Sequence, residues 1–312
     1  MPLLITGGSG FLGIHLARQL VCNGHQVVLG DINPKAKIPE DLQGKVAYVH
    51  CDISYPLSFI EAVKSHEISS IIHLAVAIRT IAELNPQAAF QANIVGLHNL
   101  LEIACICQLE KVIFPSSHSV FPPGTQVVES NTRPSQWANT YGIAKIFGEQ
   151  MGLYYHKTHG LDFRAMRFCS INGPGRPYIG GTSFVSLMFR ELARAGRFVI
   201  PTKESTLFHS IYIKDAVRCL MELHDAAAEN ILSRVYNMAG IPMVMKDLAA
   251  EIKKHLPEAN LNFEPDADLL REFESWPHTI DDSAAHEEWG WKLEYNLEKM
   301  VADYIKEETN AV

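Results

Sequence analysis

The segment Thr6–Gly13, TGGSGFLG, joins a short apolar run, Leu3–Ile5, directly to an amphipathic stretch, Phe11–Cys22. Its glycines Gly7, Gly10 and Gly13 stand at G-x-x-G-x-x-G, which suits a strand turning tightly into a helix. The alternation then repeats down the chain. Short runs rich in Val, Ile and Leu stand at Gln26–Leu29, Val46–Val49, Ile71–Leu74, Val112–Phe114 and Phe163–Phe168. Helical patterns at Leu57–Ser65, Pro86–Gln108 and Gln136–His159 separate them. The runs do not alternate apolar with polar residues, as befits strands buried on both faces of a parallel sheet. Right-handed crossovers between such strands build a doubly wound α/β sheet.

Phe121–Gly124 and the Gly- and Pro-rich stretch Asn172–Gly181, NGPGRPYIGG, read as loops. Beyond them the pattern loosens, with helices near Phe184–Ala195 and Ile213–Ala228. That predicts a nucleotide-binding sheet over residues 1–170, with segments near 204–240 returning to it. Residues 171–312 then form mainly a smaller C-terminal α/β substrate-binding domain.

A formal net charge of −8 argues against a nucleic-acid partner, which needs a basic field. No apolar run reaches the ~18 residues of a membrane span, and the first residues lack the basic and apolar regions of a signal peptide. A cytoplasmic protein with no membrane contact is expected. The six cysteines, Cys22, Cys51, Cys105, Cys107, Cys169 and Cys219, form no CxxC pair and read as buried free thiols in a reducing compartment. No metal site is expected.

A helix N-terminus offers unpaired N–H groups and a favourable dipole to an anion. A side chain at Gly7 or Gly10 would obstruct a pyrophosphate approaching the backbone N–H groups of Phe11, Leu12 and Gly13, while Gly13 lets the helix pack closely. Asp31 ends the second strand about 20 residues past the glycines, where an acid accepts hydrogen bonds from an adenosine ribose and repels a 2′-phosphate. NAD is therefore expected over NADP; a helix-capping aspartate is the alternative. Asp52 and Ile53 after the third strand suit the adenine edge, and Leu74 and Ala75 after the fourth suit the dinucleotide's path.

Tyr141 and Lys145 fall at i and i+4, on one face of a helix. A free tyrosine has a pKa near ~10, and a neighbouring ammonium lowers it toward the range of near-neutral acid–base chemistry. Such a pair also arises by chance on a helix surface. Ser116 and Ser117 strengthen it, standing where the fifth strand ends, at the sheet edge that binds ligands in doubly wound folds. Alternatively, they simply cap that strand.

Together, TGGSGFLG, Asp31, HLA at His73–Ala75, Asn93, PSSHSVF at Pro115–Phe121, YGIAK at Tyr141–Lys145 and RFCSINGPG at Arg167–Gly175 resemble the extended short-chain dehydrogenase/reductases, the NAD-dependent epimerase/dehydratase family, over nearly the whole chain. The resemblance implies a Rossmann sheet, a bound NAD, and Ser117, Tyr141 and Lys145 as catalytic residues. Lys145 also binds the nicotinamide ribose, and Asn93 and Phe168 join the cofactor residues. A buried structural role for Asn93 is the alternative. Members of this family usually form homodimers through two helices each, matched here by Pro86–Gln108 and Gln136–His159; the apolar faces of both helices fit packing within a monomer equally well.

Nucleotide-sugar epimerases of the family usually read R-x-F-V-H-V-x-D, the arginine holding the diphosphate. Here the run is Phe208–Asp215, with Phe208 at that place, and Ser170 replaces the usual asparagine of R-x-x-N-V-Y-G-P. The tail instead is similar to short-chain-type L-threonine 3-dehydrogenases, through YNMAG at Tyr236–Gly240, Glu251–Asp266 and the ESWPHTIDDSAAHEEWGW run from Glu274. Their glycine-rich loop over the substrate corresponds to Gly180–Ser183, which makes Thr182 a substrate residue. Trp276 either closes the pocket or packs into the core. Arg79 and Arg176 depart from the dehydrogenase pattern; each is a candidate anion ligand, Arg79 alternatively a solvated helix-start residue. These features imply an NAD-dependent oxidation of a small hydroxy acid, with L-threonine to 2-amino-3-ketobutyrate as leading candidate. A nucleotide-sugar 4-epimerase or dehydratase and a non-catalytic NAD-binding protein are the alternatives.

Overall fold

The computed structural model describes residues 2–310. Five parallel strands come first: β1 (Leu3–Thr6), β2 (Val27–Asp31), β3 (Ala47–His50), β4 (Ser70–His73) and β5 (Lys111–Ser117). With Asp162–Phe168 and Val235–Asn237 they make a seven-stranded sheet in the order 235–237, 162–168, β5, β4, β1, β2, β3. Every pairing in it is parallel. Chain order reverses at β1, so the loops after β1 and β4 part and leave a crevice at the strands' carboxyl ends.

The helix Phe11–Cys22 starts and stops where its periodicity placed it. The helix predicted from Gln136 begins instead at Thr140, because Asn139 caps it by accepting from the Gly142 N–H at 2.7 Å. Gln136 is diverted to donate to the Ser119 and Phe121 carbonyls at 2.8 and 2.9 Å. The helix Ile213–Asp225 is shorter than its pattern, which ran to Ala228. The Arg164 guanidinium takes the Leu223 and Ala226 carbonyls at 2.6 and 2.7 Å and thereby satisfies its end.

Pro86–Ile106 forms one helical run of 21 residues, long and apolar enough by length and composition to cross a bilayer. Gln87, Gln91, Asn93, His98, Asn99 and Glu102 interrupt it, so it is no continuous apolar run. Its Leu97, Leu100, Leu101 and Ala104 are buried against Val112, Phe114 and Phe163 of the sheet. The cysteines also differ from expectation: Cys51 and Cys219 are buried, Cys22 at a helix end is exposed, and the other three are half-buried.

A second, three-stranded sheet joins Ser170–Asn172, Leu207–Tyr212 and Ile241–Val244. The chain rejoins the main sheet through Ile213–Asp225 and Val235–Asn237, while Leu207–Tyr212 stays in the small sheet. One apolar core runs through both parts, from Leu3, Ile5 and Phe168 to Phe184, Phe208, Met243 and Trp291. The crevice therefore opens along a continuous, close-packed seam.

Candidate active site

The glycine loop is set by its own chain before any ligand is considered. Gly7 has φ +67°, and a Cβ there would lie 2.7 Å from the Ala75 amide nitrogen. A Cβ on Gly13 would meet the Gly8 carbonyl at 2.6 Å, so this glycine packs the helix against the loop. Gly8 is just as confined, 2.8 Å from the Ile5 carbonyl, although the glycine spacing passes over it. Only Gly10 has room, its Cβ meeting nothing but the Gly7 carbonyl at 3.1 Å. No side chain caps the Phe11–Cys22 helix, whose N-cap is Gly10. The N–H groups of its first turn, including Phe11, Leu12 and Gly13, have no helical partner, and a pyrophosphate fits there.

Asp31 ends β2 beside that turn; its Oδ2 accepts from the Ser9 N–H at 3.1 Å and the Ser9 hydroxyl at 2.6 Å. A carboxylate has further lone pairs for ribose hydroxyls. Asp52 follows β3 and accepts from the Ser54 N–H and hydroxyl at 2.8 and 2.7 Å, which braces the turn carrying Ile53. After β4, the Leu74 N–H donates to the Thr6 carbonyl at 2.9 Å and the Ala75 N–H to the Thr6 hydroxyl at 3.4 Å. Asn93 lies in a π-helical turn, Gln91–Gly96, and spends both ends of its amide on the Ala77 backbone, at 2.8 Å each. Thus it staples the strand exit after β4; π-turns of this kind gather at functional sites.

Ser117, Tyr141 and Lys145 come together where β5 ends. The Ser117 hydroxyl lies beside the Tyr141 phenol and pulls its pKa down. The Lys145 ammonium lies 5.6 Å from the Tyr141 ring centroid and 4.6 Å from that of Phe114, and donates to the Pro115 carbonyl at 2.6 Å. Burial pushes Tyr141 up to about 12, with the Ser117 hydroxyl pulling the other way. Burial likewise lowers Lys145 to about 7, against the opposing pull of Glu149. In the protein alone desolvation thus outweighs the pull of the Ser117 hydroxyl, and the tyrosine is raised.

One turn beyond Lys145, Glu149 is buried and accepts from two Arg167 donors, Nε at 2.9 Å and Nη2 at 2.8 Å. It also accepts from the Ser116 hydroxyl at 2.5 Å. Ser116 therefore faces this ion pair while its neighbour Ser117 faces the cavity. Glu149 and Arg167 escaped the sequence analysis. Continuing the Tyr141, Lys145 spacing by another four residues would have found the glutamate.

A cavity of about 740 Å³ opens beside Ser117, walled by Phe168, Ser170, Thr182, Trp276, His209 and Arg79 among others. Phe208, at the place of the epimerase arginine, is fully buried behind it, 5.0 Å from the Phe273 ring. Trp276 packs against both Phe273 and Phe208, 5.0 and 6.5 Å between ring centroids. It is both pocket wall and core. Arg79 reaches the cavity with its guanidinium committed to carboxylates, Glu83 at 3.0 Å and Glu272 at 2.6 Å. A substrate carboxylate there would compete with Glu272, so Arg79 bridges the two halves of the pocket rather than standing open as a clamp. His209 spans two carbonyls, Ala239 at 3.0 Å and His278 at 3.1 Å. Arg176 turns inward beneath Thr182 and Ser170. Among the described residues no cluster of His, Cys, Asp and Glu could hold a metal ion.

The model of the NAD dependent epimerase/dehydratase family matches residues 3–239. Mitochondrial L-threonine 3-dehydrogenase of Bos taurus is 33% identical over 307 residues, 97% of this chain and 81% of that protein. The holo form of L-threonine dehydrogenase from Cupriavidus necator has a TM-score of 0.91 at 30% identity, covering 98% of this chain and 99% of that one. L-threonine dehydrogenase from Phytophthora infestans has a TM-score of 0.89 at 29% identity, covering 100% of both chains. Glycine turn, doubly wound sheet and family match agree over three-quarters of the sequence: the chain belongs to the NAD dependent epimerase/dehydratase family.

Proposed function

We propose that this chain is an NAD-dependent L-threonine 3-dehydrogenase, oxidising the substrate's secondary hydroxyl to 2-amino-3-ketobutyrate. The observation that carries it is the aromatic cluster in which the pocket-lining Trp276 is backed by the buried Phe208 and Phe273. In the sugar-nucleotide enzymes that this chain resembles, an arginine stands at Phe208 to pair with a diphosphate; a buried aromatic cluster offers a diphosphate nothing. A small amino acid leaves no such charge against that cluster. The threonine dehydrogenases of similar sequence and structure favour the same substrate.

Ser117 holds the substrate oxygen and Tyr141 takes its proton. Bound NAD would supply the hydride acceptor and a positive charge that favours the Tyr141 phenolate. Lys145 fixes the phenol's surroundings through the Pro115 carbonyl and reaches the nicotinamide ribose. Gly7, Gly10, Phe11, Leu12 and Gly13 hold the pyrophosphate, Asp31 the adenosine ribose, and Asp52 and Ile53 the adenine edge. Leu74, Ala75, Asn93 and Phe168 line the rest of the dinucleotide's path. Thr182 and Trp276 meet the substrate, and Arg79 closes its side of the pocket through Glu272.

Exposed Phe90, Ile106, Ile143 and Tyr154 on the helical runs Pro86–Ile106 and Thr140–His159 support a homodimer joined through those helices. Six cysteines without a disulfide suit a reducing compartment, and we place the protein in the cytoplasm.

Incubating the protein with NAD and L-threonine tests the activity. A dehydrogenase accumulates reduced NAD with turnover. An epimerase converts a UDP-sugar with no net reduction of NAD, and that result would replace this proposal.

A further inference from the structure

Arg164 and Arg167 on the strand 162–168 are buried and paired with carboxylates, whereas Arg176, in the loop that follows, is half-buried. Arg164 pairs with Asp162 at 2.7 Å and Arg167 with Glu149 at 2.8 Å. Arg176 makes no ion pair among the described residues. Its Nη1 donates to the Asn172 amide oxygen at 2.6 Å and to the Ser170 hydroxyl at 3.3 Å; its Nη2 donates to the Thr182 hydroxyl at 3.4 Å. Burial lowers its pKa to about 10, with no carboxylate opposing that shift. A half-buried charge on neutral oxygens alone is unfavourable unless something else shares it.

The donors around it fix a direction. Arginine only donates, so both hydroxyl oxygens it touches are acceptors. Ser170 Oγ also accepts from Asn172 Nδ2 at 3.2 Å, which fills its two lone pairs. Its own proton must then go to Thr182 Oγ1, 2.5 Å away. Asn172 is held in turn, its Nδ2 donating to Ser210 Oγ at 2.7 Å and its Oδ1 accepting from Ser186 Oγ at 3.3 Å. Thr182 Oγ1 thus accepts twice, and its own O–H has no acceptor among the described residues. Ser170 and Thr182 both line the cavity beside Ser117, so that O–H is offered to a ligand there. A guanidinium, two ordered hydroxyls and a free donor in series form a polarised chain that favours a negative acceptor.

We infer that Arg176 sets the pocket's preference for a carboxylate-bearing substrate by holding Thr182 as a donor toward it and placing a half-buried positive charge behind that donor. Arg176 is a positioning residue, since it acts through Ser170 and Thr182. The inference rests on the proposed oxidation of a small hydroxy acid at this cavity, and it names which part of that substrate is recognised and by what. It also accounts for Arg79, whose guanidinium is already shared between Glu83 and Glu272.

The test compares wild type with Arg176→Gln and Arg176→Lys. In steady-state assays with L-threonine, Arg176→Gln should raise KM about tenfold or more while kcat changes less than about threefold. NAD affinity should stay unchanged, and Arg176→Lys should recover part of the loss. Ligand binding to the NADH-loaded protein is measured in parallel, without turnover. It uses L-threonine, L-serine and 3-hydroxybutyrate against the corresponding alcohols that lack a carboxylate. Wild type should prefer the acids, and Arg176→Gln should lose that preference at an unchanged melting temperature. Equal binding of acids and alcohols by wild type, or an undiminished preference in both variants, would overturn the inference. A wild type that binds the acids selectively yet does not oxidise threonine would overturn the proposed activity and leave the role of Arg176 supported.

Discussion

Glu149 takes the Arg167 guanidinium on both of its carboxylate oxygens, at 2.9 and 2.8 Å, directly beneath the strand end that carries Ser117. Lys145 lies one helical turn before Glu149, and Ser116 donates to the same carboxylate. Removing one member of a buried pair strands the other. Glu149→Ala is therefore expected to destabilise the fold by about 3–5 kcal/mol. Glu149→Gln, which keeps an acceptor for Ser116, should cost less. Denaturant titration of the three proteins measures both.

Tyr141→Phe should lower kcat by about 10²–10⁴-fold while NAD binding stays nearly unchanged, because the phenol oxygen serves proton transfer and the ring remains in place. Ser117→Ala should fall in the same direction. Calorimetric titration of NAD beside the turnover assay separates the two roles. Equal losses of affinity and turnover would make Tyr141 a structural residue.

The glycines separate folding from cofactor binding. Gly7→Ala meets the Ala75 backbone at 2.7 Å and adds a left-handed strain of about 1–2 kcal/mol, so it should lower the melting temperature. Gly10→Ala has a negative φ of −76° and meets only the Gly7 carbonyl, at 3.1 Å, so the fold should tolerate it after a small shift. Its defect should appear as weakened NAD affinity at a near-normal melting temperature.

Lys145 carries a stability cost that depends on pH. Burial holds its pKa at about 7 in the folded protein, below the ~10.4 of an unfolded lysine. Below pH 7 both states bind the proton and the folded state bears the full cost of a buried charge. Between about 7 and about 10 only the unfolded chain holds the proton, so stability rises with pH across that window. Lys145→Met, inactive in turnover, should melt above wild type at pH 6, and the gap should narrow as pH rises toward 10. A gap independent of pH would contradict a buried, titrating lysine.

Much of the sheet was legible because its signals are local. Each strand is a short apolar run, and Tyr141 with Lys145 declares one helical face through spacing alone. The start at Thr140 was missed although Asn139 is an ordinary capping residue, since the apolar pattern extends upstream into a loop that Gln136 ties down. What stayed hidden depends on packing between distant segments. Arg167 meets Glu149 only because its strand lies against the helix, and Arg176 reaches Ser170 and Thr182 only once the Asn172–Gly181 loop folds back. Of the two carboxylates that hold Arg79, Glu83 is a helical neighbour, but Glu272 is 193 positions away. Sequence spacing names donors readily; which acceptors they meet is a property of the fold.

The account's central claim is that a hydride leaves the hydroxyl-bearing carbon of threonine. L-Threonine deuterated at that carbon, turned over with NAD, tests it directly. The account predicts one deuterium in the nicotinamide ring of the reduced NAD for each 2-amino-3-ketobutyrate formed, and a slowed turnover wherever hydride transfer limits the rate. Reduced NAD without deuterium, or no reduced NAD at all, would contradict it.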